Sequence, residues 1–315
     1  MKRWMQKAIV QKVISYLPFD HHINFLFQKY VTRGVALTDA TFEDRLSHAA
    51  THLENFRRLS GKAVPRRTLE IGTGWYPVVP VALFLAGVDQ IHSVDLRPLI
   101  SRARIAVTVR RYLDAHAAGQ LPPSVTVVGE RLSRLSSLLA AWPGMSLSQM
   151  LGALNVRYLV EDARHLSLPD DSIDLIHSNN TLEHIYPAVL VPILTEFKRV
   201  VRQDGGVMSH FIDMSDHFAH FDRSISIYNF LRFSDRAWHW IDNGVQPQNR
   251  LRFPEYLDLY REVGVPATDV VQRPGNPDAL AGIALAARFA AMPPEQLAVS
   301  HCHISSRMPA GAQPA

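Results

Sequence analysis

Thr68-Leu69-Glu70-Ile71-Gly72-Thr73-Gly74-Trp75-Tyr76-Pro77 reads as a strand running into a glycine turn that opens a helix at Pro77, proline being tolerated in a first helical turn. Two glycines let the backbone approach a ligand closely. A dinucleotide site would place a third glycine where Pro77 stands and would keep carboxylates away from a pyrophosphate seated on the helix N-terminus. Glu70 points instead to a ligand with a cationic ammonium group and no phosphates. Asp95 ends the strand-like run Ile91-His92-Ser93-Val94-Asp95, where a carboxylate can accept both hydroxyls of a ribose, so a nucleoside is expected. Asp162, before the small Ala163, can accept an adenine amino hydrogen while the backbone offers an N–H to the ring. Taken singly, Glu70 reads as a solvent-facing strand residue, Asp95 as a helix N-cap and Asp162 as an Asx-type turn. Three acids at three adjacent strand ends favour one ligand site, at the sheet edge where open α/β sheets bind ligands.

Other residues offer chemistry with weaker patterning. Either ring of Trp75 and Tyr76 can face a cationic ligand, a contact worth roughly 0.5–2 kcal/mol, although packing between an N-terminal cap and the sheet explains both rings as well. Asn180, Glu183 and His184 follow the fourth strand. His184 is suited to taking a hydroxyl proton at neutral pH, and equally to orienting a backbone loop. His210, Asp213, His217 and His220 supply donors of the kind divalent metals use. Two of them belong to a strand end and two to the following loop, without helical spacing, so a polar rim of an acceptor pocket is expected and no metal. Tyr228, Phe230, Phe233, Trp238 and Trp240 read as the core of an inserted segment rather than a platform for stacking bases.

The elements that must position these groups alternate. Short β-branched runs at 67–72, 91–95, 156–161, 172–177 and 206–212 alternate with helical stretches, the mark of a parallel sheet with crossover helices. Residues 1–60 read as wholly helical: an amphipathic start with Met5, Ile9, Val13 and Leu17 on one face, then Phe42, Leu46, Ala50, Leu53 and Phe56 after Thr41 as N-cap, stopping at Ser60-Gly61. The expected organisation is a helical cap or lid over 1–60 and a ligand-binding catalytic domain over 61–308. Insertions fall near 119–155, after the Pro122-Pro123 break, and at 214–250, and the tail 309–315 is frayed. Residues 254–264 read as a helix, and 268–273 and 298–306 as two last strands. Within the cap, Asn24 to Gly34 mixes aromatic and polar groups as a closing piece would, with Gln28, Tyr30 and Arg33 as candidates to face the ligand.

Composition narrows the classes. The 315 residues are 47% hydrophobic and 20% charged with a net charge of +4, a globular balance too weakly basic to imply nucleic acid. One cysteine, Cys302, excludes an internal disulfide and a cysteine-built zinc site and fits a reducing compartment. Lysines interrupt the apolar start, which reads neither as a signal peptide nor as a membrane span. The expectation is a cytoplasmic protein with a small-molecule substrate, no stable membrane insertion and no assigned oligomeric state. Trp4 on the basic first helix leaves one alternative, a non-catalytic module at a membrane surface.

The sequence resembles the class I S-adenosylmethionine-dependent methyltransferase superfamily through Glu-Ile-Gly-Thr-Gly at 70–74, Asp95-Leu96, Glu161-Asp162-Ala163 and the run from Leu168 to His184. The resemblance covers 65–215 well and the remainder loosely. It implies an α/β, Rossmann-like sheet of seven strands with the last antiparallel, and S-adenosylmethionine as cofactor. It also implies Gly72 and Gly74 along the methionine part, Asp95 on the ribose, Asp162 with Ala163 at adenine and the Asn179 backbone near the amino-acid end, with Glu70, Thr73 and Leu96 as further cofactor-binding residues. Asn180, His184, Tyr76 and the lid Tyr30 are then the candidates for chemistry. Trp-Tyr-Pro after the second glycine departs from members that keep another glycine there. A weaker resemblance, in the cap and insertions, is to bacterial enzymes that cyclise S-adenosylmethionine to azetidine-2-carboxylate and methylthioadenosine.

Overall fold

The computed structural model describes residues 2–18 and 36–309; Gln28, Tyr30 and Arg33 lie outside them. Seven strands, β1 (Arg67–Ile71), β2 (Gln90–Asp95), β3 (Val156–Val160), β4 (Leu175–Asn179), β5 (Val207–Asp213), β6 (Asp269–Arg273) and β7 (His301–Arg307), form one sheet in the order β3-β2-β1-β4-β5-β7-β6. The first five pair in parallel, and β7 runs antiparallel between β5 and β6. Leu69, Val94, Ile176 and Met208 are essentially sealed from solvent, as expected where helices cover both faces of a parallel sheet. Strand order reverses between β1 and β4, so the carboxyl ends of β1, β2 and β4 open onto one crevice.

The helices are α1 (Arg3–Ile14), α2 (Asp39–Ser60), α3 (Val78–Leu85), α4 (Arg102–Ala117), α5 (Gly129–Ala141), α6 (Leu147–Ala153), α7 (Pro187–Val200), α8 (Asp235–Ile241) and α9 (Phe253–Glu262), with short turns between them. Phe42, Leu46, Ala49 and Leu53 of α2 are buried in one core with α3, each large side chain contributing about 1.5–3 kcal/mol on burial. Gly61 ends α2 at φ 73°, a left-handed C-cap that glycine adopts without a Cβ penalty. The helix starts earlier than expected. Thr38, not Thr41, is the N-cap, its hydroxyl accepting from the Thr41 N–H at 3.2 Å, so Thr41 sits inside the first turn. The 1–60 segment is therefore interrupted, because Thr38 is extended.

The fourth strand is displaced from the expected 172–177. Asp174 Oδ2 accepts from the backbone N–H groups of Arg66 and Arg67 at 3.0 and 2.8 Å, and Ile173 makes only an isolated bridge to Val201. Those residues anchor the start of β1, and regular pairing begins at Leu175. Likewise β7 begins at His301 rather than 298, behind a helical turn at Pro294–Leu297.

The largest departure is α1. Trp4, Ala8, Gln11 and Ile14 are its buried face, while Met5, Ile9, Val13 and Leu17 are 40%, 51%, 55% and 42% exposed. Trp4 packs on Phe218 and Phe233 with centroids 5.8 Å away in each case, and Lys12 Nζ donates to the His239 and Asp242 carbonyls at 2.8 Å. The aromatic cluster of 214–250 thus selects the other face, and Trp4 is withdrawn from the membrane role considered for it. Tyr228, Phe230 and Trp238 belong to that cluster, whereas Trp240 is 70% exposed and does not. Among the described residues no helix is long and apolar enough to cross a membrane.

Candidate functional site

The glycine turn leaves β1 with Gly72 at φ 76° and Gly74 at φ 71°, a region that disfavours residues bearing a Cβ. At Gly72 there is no room either: a Cβ would stand 2.3 Å from Thr181 Oγ1. Glu70, 4% exposed, accepts from the Thr73 hydroxyl at 2.7 Å, and that hydroxyl also contacts Ser93 Oγ. Burial pushes the Glu70 carboxyl up to about 8, with the nearby Asp95 adding to the rise. His177 Nδ1 is 3.9 Å from Glu70 Oε1, but burial holds that imidazole neutral, down to about 3, so the pair carries no ionic attraction.

Asp95 at the end of β2 receives the Gly74 N–H at 3.2 and 3.3 Å and the Tyr158 hydroxyl at 3.0 Å. Burial raises this carboxyl to about 7 against the pull of those donors. Leu96 beside it is 72% exposed. At the end of β3 Asp162 takes the Arg164 guanidinium on both oxygens, with Nε 3.0 Å from each, and those hydrogen bonds lower it to about 2.

Two neighbouring cavities collect these groups. One of about 370 Å³ is lined by Glu70, Gly72, Thr73, Gly74, Trp75 and Tyr76, with Asn179, Asn180, His184 and Arg45 opposite. The other, of about 590 Å³, carries Asp95, Leu96, Asp162 and Ala163 on apolar walls that include Ile71, Val94 and Ile193. Gly72, Gly74, Asn180 and His184 border both. The described residues expected to bind the cofactor, together with Tyr76, Asn180 and His184, therefore line these two adjoining cavities. Trp75 lies under the Arg104 guanidinium, 4.4 Å from its ring centre, and Tyr76 packs against the α2–α3 core while lining the cavity. Asn180 has φ 47° and donates its N–H to the Phe211 carbonyl at 3.1 Å. His184 Nδ1 lies 2.6 Å from the Pro247 carbonyl and so holds the 245–247 loop over the cavity, the orienting role; burial lowers its pKa to about 4.

Three groups escaped the sequence reading. Arg45, on α2, faces the same cavity as Glu70; a lone arginine within one turn of Phe42 and Leu46 was its only signal. Tyr158 lies on β3 and gave none. His52, fully buried on α2, bridges Ser209 Oγ and Asn179 Oδ1 at 2.9 Å each, tying the helix to β5 and to the end of β4. Of the four residues first weighed as metal donors, His210 turns away, its ring stacked on Phe197 at 5.7 Å and its Nδ1 2.8 Å from Ser178 Oγ. Asp213, His217 and His220 stay together.

A seven-stranded sheet of this order with an antiparallel β7, a glycine turn after β1 and acids at neighbouring strand ends is the arrangement of the class I S-adenosylmethionine-dependent methyltransferase fold. Residues 140–209 match the family model described as a methyltransferase domain. No curated protein matches the chain. Among solved structures, 1,6-didemethyltoxoflavin-N1-methyltransferase of Burkholderia thailandensis, with its substrate and S-adenosylhomocysteine bound, is 15% identical over 91% of this chain and 86% of that one, at a TM-score of 0.46. A geranyl diphosphate methyltransferase in complex with S-adenosylmethionine is 14% identical over 87% and 93%, at 0.43. The [4+2]-cyclase SpnF is 14% identical over 83% and 81%, also at 0.43.

Proposed function

We propose that this chain transfers the methyl group of S-adenosylmethionine to a small molecule, with the cofactor lying along the ends of β1, β2 and β3. The observation that supports this most is the meeting of an acid-lined apolar cavity, suited to adenosine, with a smaller one holding both a buried carboxyl and a guanidinium. In this reading Asp95 takes the ribose hydroxyls, and Leu96 and Ala163 flank adenine, whose amino group Asp162 accepts once Arg164 swings aside. Gly72, Thr73 and Gly74 line the methionine chain, with the Asn179 backbone at its amino-acid end. Glu70 and Arg45 have opposite charges for the ammonium and carboxylate of that end. Tyr76 offers its ring to the sulfonium.

The acceptor would enter beside Asn180, His184 and the 245–247 loop. Its lone pair attacks the methyl carbon in line, the C–S bond pair returns to sulfur, and placement supplies most of the acceleration. That loop encloses the cavity, which favours a small acceptor over a macromolecule. The described helices α1 and α2 act as a cap on a catalytic domain spanning 61–308. The test is thermal stabilisation by S-adenosylmethionine, which binding to the native state must produce, followed by an acceptor screen read as S-adenosylhomocysteine. Absence of stabilisation at saturating cofactor refutes the reading.

A second reading rests on Glu70 alone. Burial raises the Glu70 carboxyl to about 8, so its ionised form is a stronger base than an ordinary carboxylate and can take a proton from the cofactor's own ammonium. The freed amine would then attack the γ-carbon and expel methylthioadenosine as azetidine-2-carboxylate forms. Incubation with cofactor alone separates the two readings: methylthioadenosine above the spontaneous background replaces methyl transfer by cyclisation, and its absence retires the second reading.

A further inference from the structure

We propose that Glu183, His184 and His217 form a binding site for a divalent first-row transition-metal ion at the ends of β4 and β5. Glu183 and His184 stand on the short helical turn Leu182–His184 that follows β4, and His217 on the loop after Asp213 closes β5. One ligand atom from each lies within 4.8 Å of the other two, a span that small side-chain rotations close onto a single ion.

Three features point to a ligand rather than to chance proximity. Glu183 is 2% exposed, and neither of its carboxylate oxygens makes a well-formed hydrogen bond. An unpaired buried carboxylate is costly, and a bound cation removes the cost. His184 meets the Pro247 carbonyl through Nδ1. A carbonyl only accepts, so Nδ1 carries the proton and Nε2 keeps its lone pair, the outer hydrogen bond by which metal-binding histidines are held in one tautomer. The His217 ring lies 4.9 Å from that of His184 and has Asp213 Oδ2 3.3 Å from its Nε2, so a second carboxylate adds negative charge beside the donors. The Asp213 oxygens also face His220 and His301 at 4.0 and 3.5 Å.

Two imidazole nitrogens and a carboxylate oxygen suit Zn²⁺, Mn²⁺ or Fe²⁺ and not Mg²⁺ or Ca²⁺, which take oxygen sets. His184 also lines the cavity assigned above to the acceptor. That the ion would hold a donor atom of the acceptor there rests on the methyltransferase reading, whereas metal binding itself does not.

The experiment is calorimetric titration of chelator-treated, tag-free full-length protein with Zn²⁺ and, separately, Mg²⁺, in the absence of S-adenosylmethionine. Zn²⁺ should bind one to one and Mg²⁺ should not. Glu183→Gln, which keeps the side chain's shape, and His217→Ala should each weaken Zn²⁺ at least tenfold, while His239→Ala, an exposed histidine elsewhere, leaves it unchanged. Wild-type protein without stoichiometric Zn²⁺ binding overturns the site. So does wild-type affinity in folded Glu183→Gln and His217→Ala, which would mean adventitious imidazoles only. Should a variant not fold, the visible spectrum of Co²⁺ added to the wild type decides: bands of a low-symmetry nitrogen-containing set support the site, and the spectrum of the aquo ion overturns it. No cofactor is present in these measurements, so their failure is distinct from a failure of S-adenosylmethionine to bind.

Discussion

Glu70→Gln should make the cofactor-free protein more stable, by an amount that grows with pH. In the unfolded chain the Glu70 carboxyl ionises near 4.5, and in the fold burial raises it to about 8. Below pH 4.5 both states hold the proton and the group contributes nothing to any pH dependence. Between 4.5 and about 8 the fold keeps a proton that the unfolded chain has lost, so wild-type stability falls as pH rises through that window. Each tenfold step in proton affinity is ~1.4 kcal/mol, which sets the loss on crossing the whole window at roughly 3–5 kcal/mol. Glutamine has no proton to lose, and its amide oxygen can still accept from the Thr73 hydroxyl. Thermal denaturation of wild type and variant from about pH 4.5 to about 9 should show curves that nearly meet at the acid end and separate by roughly 5–10 °C at the alkaline end. Asp95, raised to about 7, titrates in both proteins and largely cancels in the difference. Parallel curves, or a variant less stable at pH 9, would refute the burial argument for Glu70. Bound S-adenosylmethionine should reverse the penalty in wild type only, since its ammonium would stabilise the carboxylate.

Asp95→Ala should weaken S-adenosylmethionine by roughly 1.5–3 kcal/mol, the usual loss for hydrogen bonds to a charged partner, and Asp162→Ala by less because a backbone N–H to adenine survives; calorimetry giving both variants wild-type affinity would remove the strand-end assignment. Gly72→Ala combines a positive φ with a Cβ placed 2.3 Å from Thr181 Oγ1, so it should abolish cofactor-induced thermal stabilisation while far-UV circular dichroism still reports the sheet. Arg45→Met should weaken S-adenosylmethionine more than its decarboxylated analogue, and equal losses for the two ligands would place Arg45 away from the carboxylate. Trp4→Ala should cost about 3–5 kcal/mol, as for a buried aromatic, read as local release of α1 and 214–250 in hydrogen exchange; unchanged protection there would mean that α1 does not hold the insertion.

The core of the site was legible because it is local. Glu70, Gly72, Gly74, Asp95 and Asp162 each stand at or next to the end of an apolar run, and a chain that places acids and glycines there declares a strand and the polar sheet edge beyond it without reference to distant residues. Parallel pairing then forces those ends onto one edge, as the β1–β2 and β2–β3 registers do. The number of strands and the antiparallel last strand followed from the resemblance that these runs carry, and the order β3-β2-β1-β4-β5-β7-β6 came from the tertiary structure.

Tertiary structure alone decided the rest, for a common reason: contacts between segments far apart in sequence leave no periodic trace. Arg45 reaches the cavity because α2 packs on α3, and Glu183, His184 and His217 converge because β4 and β5 are neighbours. Helix α1 is the sharpest case. Its sequence offers one stripe at Met5, Ile9 and Val13 and another at Trp4, Ala8 and Ile14, and a short helix turns inward whichever stripe its partner fits. The aromatic cluster around Phe218, Phe233 and Trp238 fits Trp4, and that partner lies more than two hundred residues away in the chain.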